Sequence, residues 1–152
     1  MTRLTTAIAV TALFATGLSL SAPIQSAYAA PAAVSTLELS LVDIAAPTGR
    51  IMLAVYASQA DYDGDKPARG MAIEVRGATA TTQIAGLTPG RYAIKLFHDV
   101  NGNGKMDTNP FGMPVEPYAF SNSAKGHMGP AKWDAAAFDV HTGANSHTIS
   151  FK

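Results

Sequence analysis

No cysteine occurs among the 152 residues. Disulfides, thiol catalysis, zinc–thiolate sites and iron–sulfur clusters are therefore excluded, and the fold must rest on apolar burial and backbone hydrogen bonds. Neither sign of charge is in excess, since 11 basic residues face 11 acidic ones. The chain thus lacks the electrostatic footprint of a nucleic-acid binder, and its overall charge gives no reason to expect an anionic membrane surface as partner. It also lacks internal repeats, a composition break that would mark a domain boundary, and any convincing amphipathic helical period.

The one long apolar run stands at the start. Arg3 precedes Leu4 to Leu20, which carries no charge, and Ala27-Tyr28-Ala29 places small residues at the −3 and −1 positions of a cleavage site. Residues 1–29 read as a secretory signal peptide, and 30–152 as a single β-sandwich domain. The run is short for a spanning helix and is interrupted by Thr, Ser and Gly17, so no membrane span is expected once it is removed. An exported chain without disulfides suits a bacterial periplasm or cell exterior.

Strand patterns dominate the remainder of the chain. From Thr36, Leu37, Leu39 and Leu41 alternate with Glu38, Ser40 and Val42, and Arg50 to Ala57 is apolar enough for a central strand. Met71–Arg76 and Ala78–Ala85 are two shorter candidates. Arg91 to His98 alternates most clearly, with Tyr92, Ile94, Leu96 and His98 opposite Ala93, Lys95 and Phe97. Trp133–Val140 and Ser146–Phe151 form a last pair around Gly143, although Ala135-Ala136-Ala137 could form a helical turn. About seven strands predict an all-β, antiparallel β-sandwich, immunoglobulin-like or transthyretin-like, with one long ordered loop over Asp99–Lys132. A small closed barrel is the alternative.

The run from Gly86-Leu87-Thr88-Pro89-Gly90-Arg91-Tyr92 through Asp107, together with Tyr118–Pro130 and Trp133–Phe138, resembles the signature of a bacterial family catalogued as domain of unknown function 2141. The resemblance extends from about Leu37 to Phe151. It implies export and a small β-sandwich; it implies no established activity and offers no catalytic residues to carry over. The Leu87–Tyr92 turn is also similar to the turn before a core strand in carboxypeptidase-regulatory-like and transthyretin-like sandwiches, which bears on the fold alone.

One stretch has the look of a metal site. Asp99, Asn101, Asn103 and Asp107 place oxygen-bearing side chains at loop positions 1, 3, 5 and 9. Gly104 permits a sharp bend at position 6, and Lys105 sits at position 7, where only its backbone carbonyl is needed. This is the spacing by which a loop wraps calcium, the candidate cofactor. Position 12 is Pro110, which offers no carboxylate, so a missing ligand would come from Glu116 or from Asp61, Asp63 and Asp65. With so few charges the affinity expected is weak, about 10⁻⁴ to 10⁻³ M. The plain alternative is that Asp and Asn only cap turns.

The other candidates are weaker. His98, His127, His141 and His147 lack metal-site spacing, and a triad of His98, Asp99 and Ser121 has no nucleophile-elbow sequence behind it. Tyr118, Phe120, Asn122, Lys125, His127, Met128 and Trp133 mix aromatic and polar groups in the long loop; they either line a sugar- or peptide-binding surface or pack the loop onto the sheet. The leading expectation is an exported, non-enzymatic module that binds calcium weakly, with a glycan or an envelope protein as candidate partner. The alternative is an envelope enzyme acting on glycans through Asp99, Asp107 and Glu116.

Overall fold

The computed structural model describes residues 34–152; the expected signal peptide lies outside the described residues. Eight strands are present: β1 (Ser35–Val42), β2 (Arg50–Tyr56), β3 (Arg69–Glu74), β4 (Ala80–Leu87), β5 (Gly90–Asp99), β6 (Tyr118–Phe120), β7 (Phe138–Val140) and β8 (Gly143–Ser150). Two short helices, α1 (Gln59–Asp63) and α2 (Trp133–Ala136), and a 3₁₀ turn over Ser121–Ser123 complete the chain.

The strands form two sheets, one in the order β4-β1-β8, the other β3-β2-β5-β6 with β7 also on β5. β6 pairs with Lys95–Phe97 and β7 with Gly90–Tyr92, so one strand serves two short partners in succession. The sandwich expected from the alternation is therefore present. Its pairing is antiparallel with one exception: β1 and β8 run parallel, Ser35 opposite Gly143 through Val42 opposite Ser150.

The alternation explains the core. Leu37, Leu39 and Leu41 on β1 face Ile51, Leu53 and Val55 on β2 and Ile94 and Leu96 on β5, all buried. Each such side chain removed from water contributes about 1.5–3 kcal/mol. A second cluster lies on the opposite side of β2 and β5, where Tyr56 and Ala93 pack with Tyr62, Phe120, Trp133 and Ala136. Tyr62 joins it from α1, meeting Tyr56 and Trp133 edge-to-face at 5.2 and 5.7 Å.

That cluster accounts for two departures from the sequence reading. Trp133–Val140 is not one strand: Trp133–Ala136 turns as a helix and only Phe138–Val140 pairs with β5. A helical turn brings Trp133 and Ala136 to the same side, against Tyr62, which an extended chain cannot do at a three-residue spacing. The polar connection after β2 likewise contains a helix. Ser58 caps it, its Oγ accepting from the Asp61 N–H at 3.1 Å.

Candidate functional site

β5 ends in Asp99, and the segment after it folds back on that residue. Asp99 is buried, 1% exposed. Its Oδ1 accepts from the Asn103 N–H at 3.0 Å and its Oδ2 from the Gly104 N–H at 2.7 Å. The oxygen of Asn101 accepts from that same Asn103 N–H at 3.1 Å, and the oxygen of Asn103 accepts from the Lys105 N–H at 2.8 Å. Gly102 and Gly104 take the left-handed conformation, φ +74° and +77°, that the two bends require. The circuit closes on Asp107, whose two carboxylate oxygens accept from the side-chain amides of Asn101 (2.7 Å) and Asn103 (3.0 Å). Hydrogen bonds thus link Asp99, Asn101, Asn103 and Asp107 in one circuit, with the Lys105 backbone N–H inside it and the Lys105 side chain exposed.

Glu116 joins them from nine residues beyond Asp107. It is buried, 8% exposed, with Oε1 accepting from the Val100 N–H and Oε2 from the Asp107 N–H, each at 3.0 Å. It bolts the two ends of the loop together, and among the residues considered for the place left by Pro110 it is the one that arrives. The Asp61, Asp63 and Asp65 cluster does not. It comes after Tyr56, which pairs with Ala93, whereas the start of β2 at Arg50 pairs with Asp99. Six residues of strand therefore separate the two acidic segments, roughly 20 Å at 3.3–3.4 Å per residue.

The loop is held to the sandwich by groups that the sequence alone does not single out as functional. Gly49, at φ +73°, passes so close to the end of β5 that a Cβ there would lie 2.1 Å from the Asp99 carbonyl oxygen. His98 is buried; its Nε2 donates to the Thr48 carbonyl at 2.7 Å and its backbone N–H donates to the Pro117 carbonyl at 2.8 Å. The Pro47-Thr48-Gly49 stretch is legible as a turn, but nothing in its residues tells that it abuts Asp99.

Among the described residues the ion pairs are Arg50–Glu74, Arg91–Asp139, Lys95–Asp65 and Lys152–Asp43. None reaches Asp99, Asp107 or Glu116, so these three carboxylates have no basic partner among the described residues. The described residues also contain no cluster of three or more His, Asp or Glu placed to hold a metal by themselves. A cation here would therefore need amide and backbone oxygens as well, which is the donor mixture that calcium accepts. The Asn101 and Asn103 oxygens each accept one N–H and keep a second lone pair, but their amide nitrogens point at Asp107 and would have to turn away.

The long-loop candidates separate into two groups. Phe120 and Trp133 are buried in the second cluster, and Asn122 donates to the carbonyls of Ala135 (3.2 Å) and Ala137 (2.9 Å), so these three fasten the loop to the sheet. Tyr118 and Met128 are exposed. A cavity of about 190 Å³ opens between Tyr118, Phe120, Lys125 and Phe151, but Lys125 Nζ already donates to the Lys152 carbonyl. Ser121 is fully buried, its Oγ donating to the Ala136 carbonyl at 2.5 Å and accepting from the Ile94 N–H at 2.9 Å. It holds α2 to β5 and has no access to a substrate. His147 stacks on Phe138 at 4.1 Å and its Nε2 accepts from the Asn122 N–H; burial holds its pKa below the ordinary histidine value.

A family model described as an uncharacterized protein conserved in bacteria, domain of unknown function 2141, matches residues 40–148, a span that contains the whole loop and Glu116. No curated protein and no solved structure matches the chain.

Proposed function

We propose that this chain, which belongs to the domain of unknown function 2141 family of uncharacterized bacterial proteins, is an exported, non-enzymatic β-sandwich module that binds one calcium ion weakly through Asp99, Asn101, Asn103, Asp107 and the Lys105 carbonyl, with Glu116 in the place that Pro110 leaves empty. One observation carries the assignment. Asp99 and Glu116 are buried, Asp107 is hydrogen-bonded into the same circuit, and no ion pair among the described residues neutralises any of them. Like charges gathered in a partly buried loop repel, and a divalent cation removes that cost. The backbone N–H bonds to Asp99 hold that donor in place beforehand, and the Asn101 and Asn103 amides are what the ion has left to turn.

A second reading has an observation of its own. The side-chain oxygens of Asp99, Asn101, Asn103, Asp107 and Glu116 all accept hydrogen bonds, which is what a metal-free turn braced by its own side chains requires. Thermal unfolding in calcium and in chelator separates the two. A ligand that binds the folded state stabilises it by RT ln(1 + [L]/Kd), about 1.4 kcal/mol when calcium stands at ten times Kd. The calcium assignment predicts a midpoint that rises through the millimolar range; a midpoint that does not move leaves the braced turn. Export is tested by fractionation, which places the protein in the periplasm or medium and detects a chain beginning at Ala30.

A further inference from the structure

Two Asn-Gly pairs stand in the loop after β5, Asn101-Gly102 and Asn103-Gly104. Asparagine is a thermolabile side chain, and a following glycine puts no Cβ in the way when its backbone nitrogen approaches the asparagine amide carbon. That approach ends in loss of ammonia and a new carboxylate. Here the new carboxylate would arise among oxygens already gathered on one circuit, so it matters which of the two asparagines can react.

The two side chains are held alike. Each oxygen accepts one backbone N–H, that of Asn103 at 3.1 Å and that of Lys105 at 2.8 Å, and each amide nitrogen donates to Asp107, at 2.7 and 3.0 Å. Both glycines are left-handed and exposed, and a Cβ on either would meet nothing within 4 Å, so water and hydroxide reach both. The backbone nitrogens are what differ. The Gly104 N–H donates at 2.7 Å to Oδ2 of the buried Asp99. Taking the proton from that nitrogen would set two negative charges side by side, and moving it toward Asn103 would break a bond to a charged acceptor. The Gly102 N–H meets no acceptor among the described residues.

The other three asparagines are closed for reasons of their own. Asn109 lies in the hairpin from Asp107 to Glu116, closed by the Thr108–Pro114 bridge, and precedes Pro110, which has no N–H to lose. Asn122 precedes a serine, and its amide is fixed on the Ala135 and Ala137 carbonyls. Asn145 also precedes a serine and is set in β8, in register with Leu37 of β1.

We propose that Asn101 is a self-modification site: in the folded protein its amide is lost through attack by the Gly102 nitrogen, while Asp99 protects Asn103, and the loop gains a carboxylate at position 101. The Gly102 nitrogen gives its proton to hydroxide and bonds to Asn101 Cγ, with the Asn103 N–H on the oxygen that takes up the negative charge. The Cγ–Nδ2 bond then breaks, and the nitrogen leaves as ammonia with a proton from water. A succinimide remains. One water opens it at either carbonyl, which restores the Gly102 N–H and leaves aspartate or isoaspartate. Water is the one co-reactant.

The loop changes in two ways. Without an ion, position 101 loses its amide donor to Asp107 and sets a second carboxylate against it, which lowers stability. With calcium, it offers a charged ligand at loop position 3, where calcium loops take aspartate or asparagine, and affinity rises with ligand charge. This second effect rests on the calcium reading above; the loss of ammonia does not.

The test holds the purified protein at mildly alkaline pH in chelator, once folded and once in guanidinium chloride, and follows peptides from residues 99–107 by mass, with fragmentation assigning the site. In the folded protein Asn101 should convert at least ~10-fold faster than Asn103, the scale of one hydrogen bond to a charged acceptor. In guanidinium chloride the two should convert alike. Equal conversion in the folded protein, or faster conversion at Asn103, overturns the proposal. So does a folded protein in which neither reacts over a time that converts both in denaturant. Calorimetric titration of wild type and Asn101→Asp reads the second effect. Calcium binding about 10-fold tighter in Asn101→Asp upholds it. Unchanged binding overturns the gain in affinity alone, and no calcium heat from either protein overturns the calcium reading while the mass result stands.

Discussion

Two segments of this chain are almost alike on paper, Asp61-Tyr62-Asp63-Gly64-Asp65 and Asp99-Val100-Asn101-Gly102-Asn103-Gly104-Lys105-Met106-Asp107, and the fold treats them in opposite ways. In the first, the negative charge is spent inside the protein. Asp61 lies in the first turn of α1, and Asp65 accepts from the Tyr56 hydroxyl at 2.6 Å and from Lys95 Nζ at 3.1 Å. The same ammonium sits 4.7 and 4.3 Å above the rings of Tyr56 and Tyr62, a cation–π arrangement that holds the charge at the edge of the aromatic cluster. Burial and then Asp65 push the Tyr56 hydroxyl well above its ordinary range, and burial and then Asp63 push Tyr62 up to about 12. In the second segment no basic side chain among the described residues pairs with the carboxylates, and side-chain oxygens are tied to backbone N–H groups instead. Whether an acidic run is tied off by a basic side chain or by backbone N–H groups depends on what the neighbouring strand brings to it.

Glycine substitutions should break the comparison most sharply. Gly49→Ala forces a Cβ to 2.1 Å from the Asp99 carbonyl oxygen at a left-handed φ, and should cost about 3 kcal/mol or more in denaturant unfolding. Gly64→Ala, where φ is −84° and the nearest backbone oxygen is 3.0 Å from the new Cβ, should cost less than about 1 kcal/mol.

Next comes Asp99→Ala, which removes acceptors from the Asn103 and Gly104 N–H groups. It should cost about 1–2 kcal/mol even in chelator, and should abolish the calcium-induced rise in midpoint.

Charge-only changes sharpen the contrast. Asp107→Asn should cost about 1 kcal/mol in chelator, because one of the two oxygens that accept from Asn101 and Asn103 becomes an amide donor at this half-buried site, and it should remove most of the calcium response. Asp65→Asn should do the reverse, weakening the Lys95 pair by no more than about 1 kcal/mol and leaving the calcium response intact.

The smallest effect is in acid. The Tyr56 hydroxyl first, and Lys95 next, hold the Asp65 carboxyl below its ordinary value. Its contribution is therefore present above about pH 4 and lost as pH falls through the lowered folded value. Comparing the pH dependence of unfolding in wild type and Asp65→Asn should show a small extra loss in the wild type below about pH 4.

Much of the sandwich is legible in the sequence because period-2 alternation reports a half-buried strand directly. Leu37, Leu39 and Leu41 on β1 and Tyr92, Ile94, Leu96 and His98 on β5 all turn inward as their parity says. The features that cannot be read depend on contacts between distant segments. β6 is three residues long, with no room for a pattern, and exists because Lys95–Phe97 offers it an edge. The parallel pairing of β1 with β8 joins strands about a hundred residues apart, and nothing in either strand names the partner or its direction. Trp133–Ala136 reads as a strand until Tyr62 is known to lie against it. The loop spacing from Asp99 to Asp107 is plain, and so is the absence of a carboxylate at Pro110. That Glu116 rather than Asp61, Asp63 or Asp65 stands beside it is a consequence of the hairpin Asp107–Glu116, whose closure is set by Asn109 and two prolines.

The most direct measurement is a calcium titration monitored by amide resonances. Asp99 and Glu116 accept from identifiable N–H groups, those of Val100, Asn103, Gly104 and Asp107, so each reports on its own acceptor. Saturable shifts at these four amides in the millimolar range, with the amides of residues 61–65 unmoved, are the predicted result. Four amides that stay in place up to saturating calcium, or shifts as large at 61–65 as at 99–107, would contradict it.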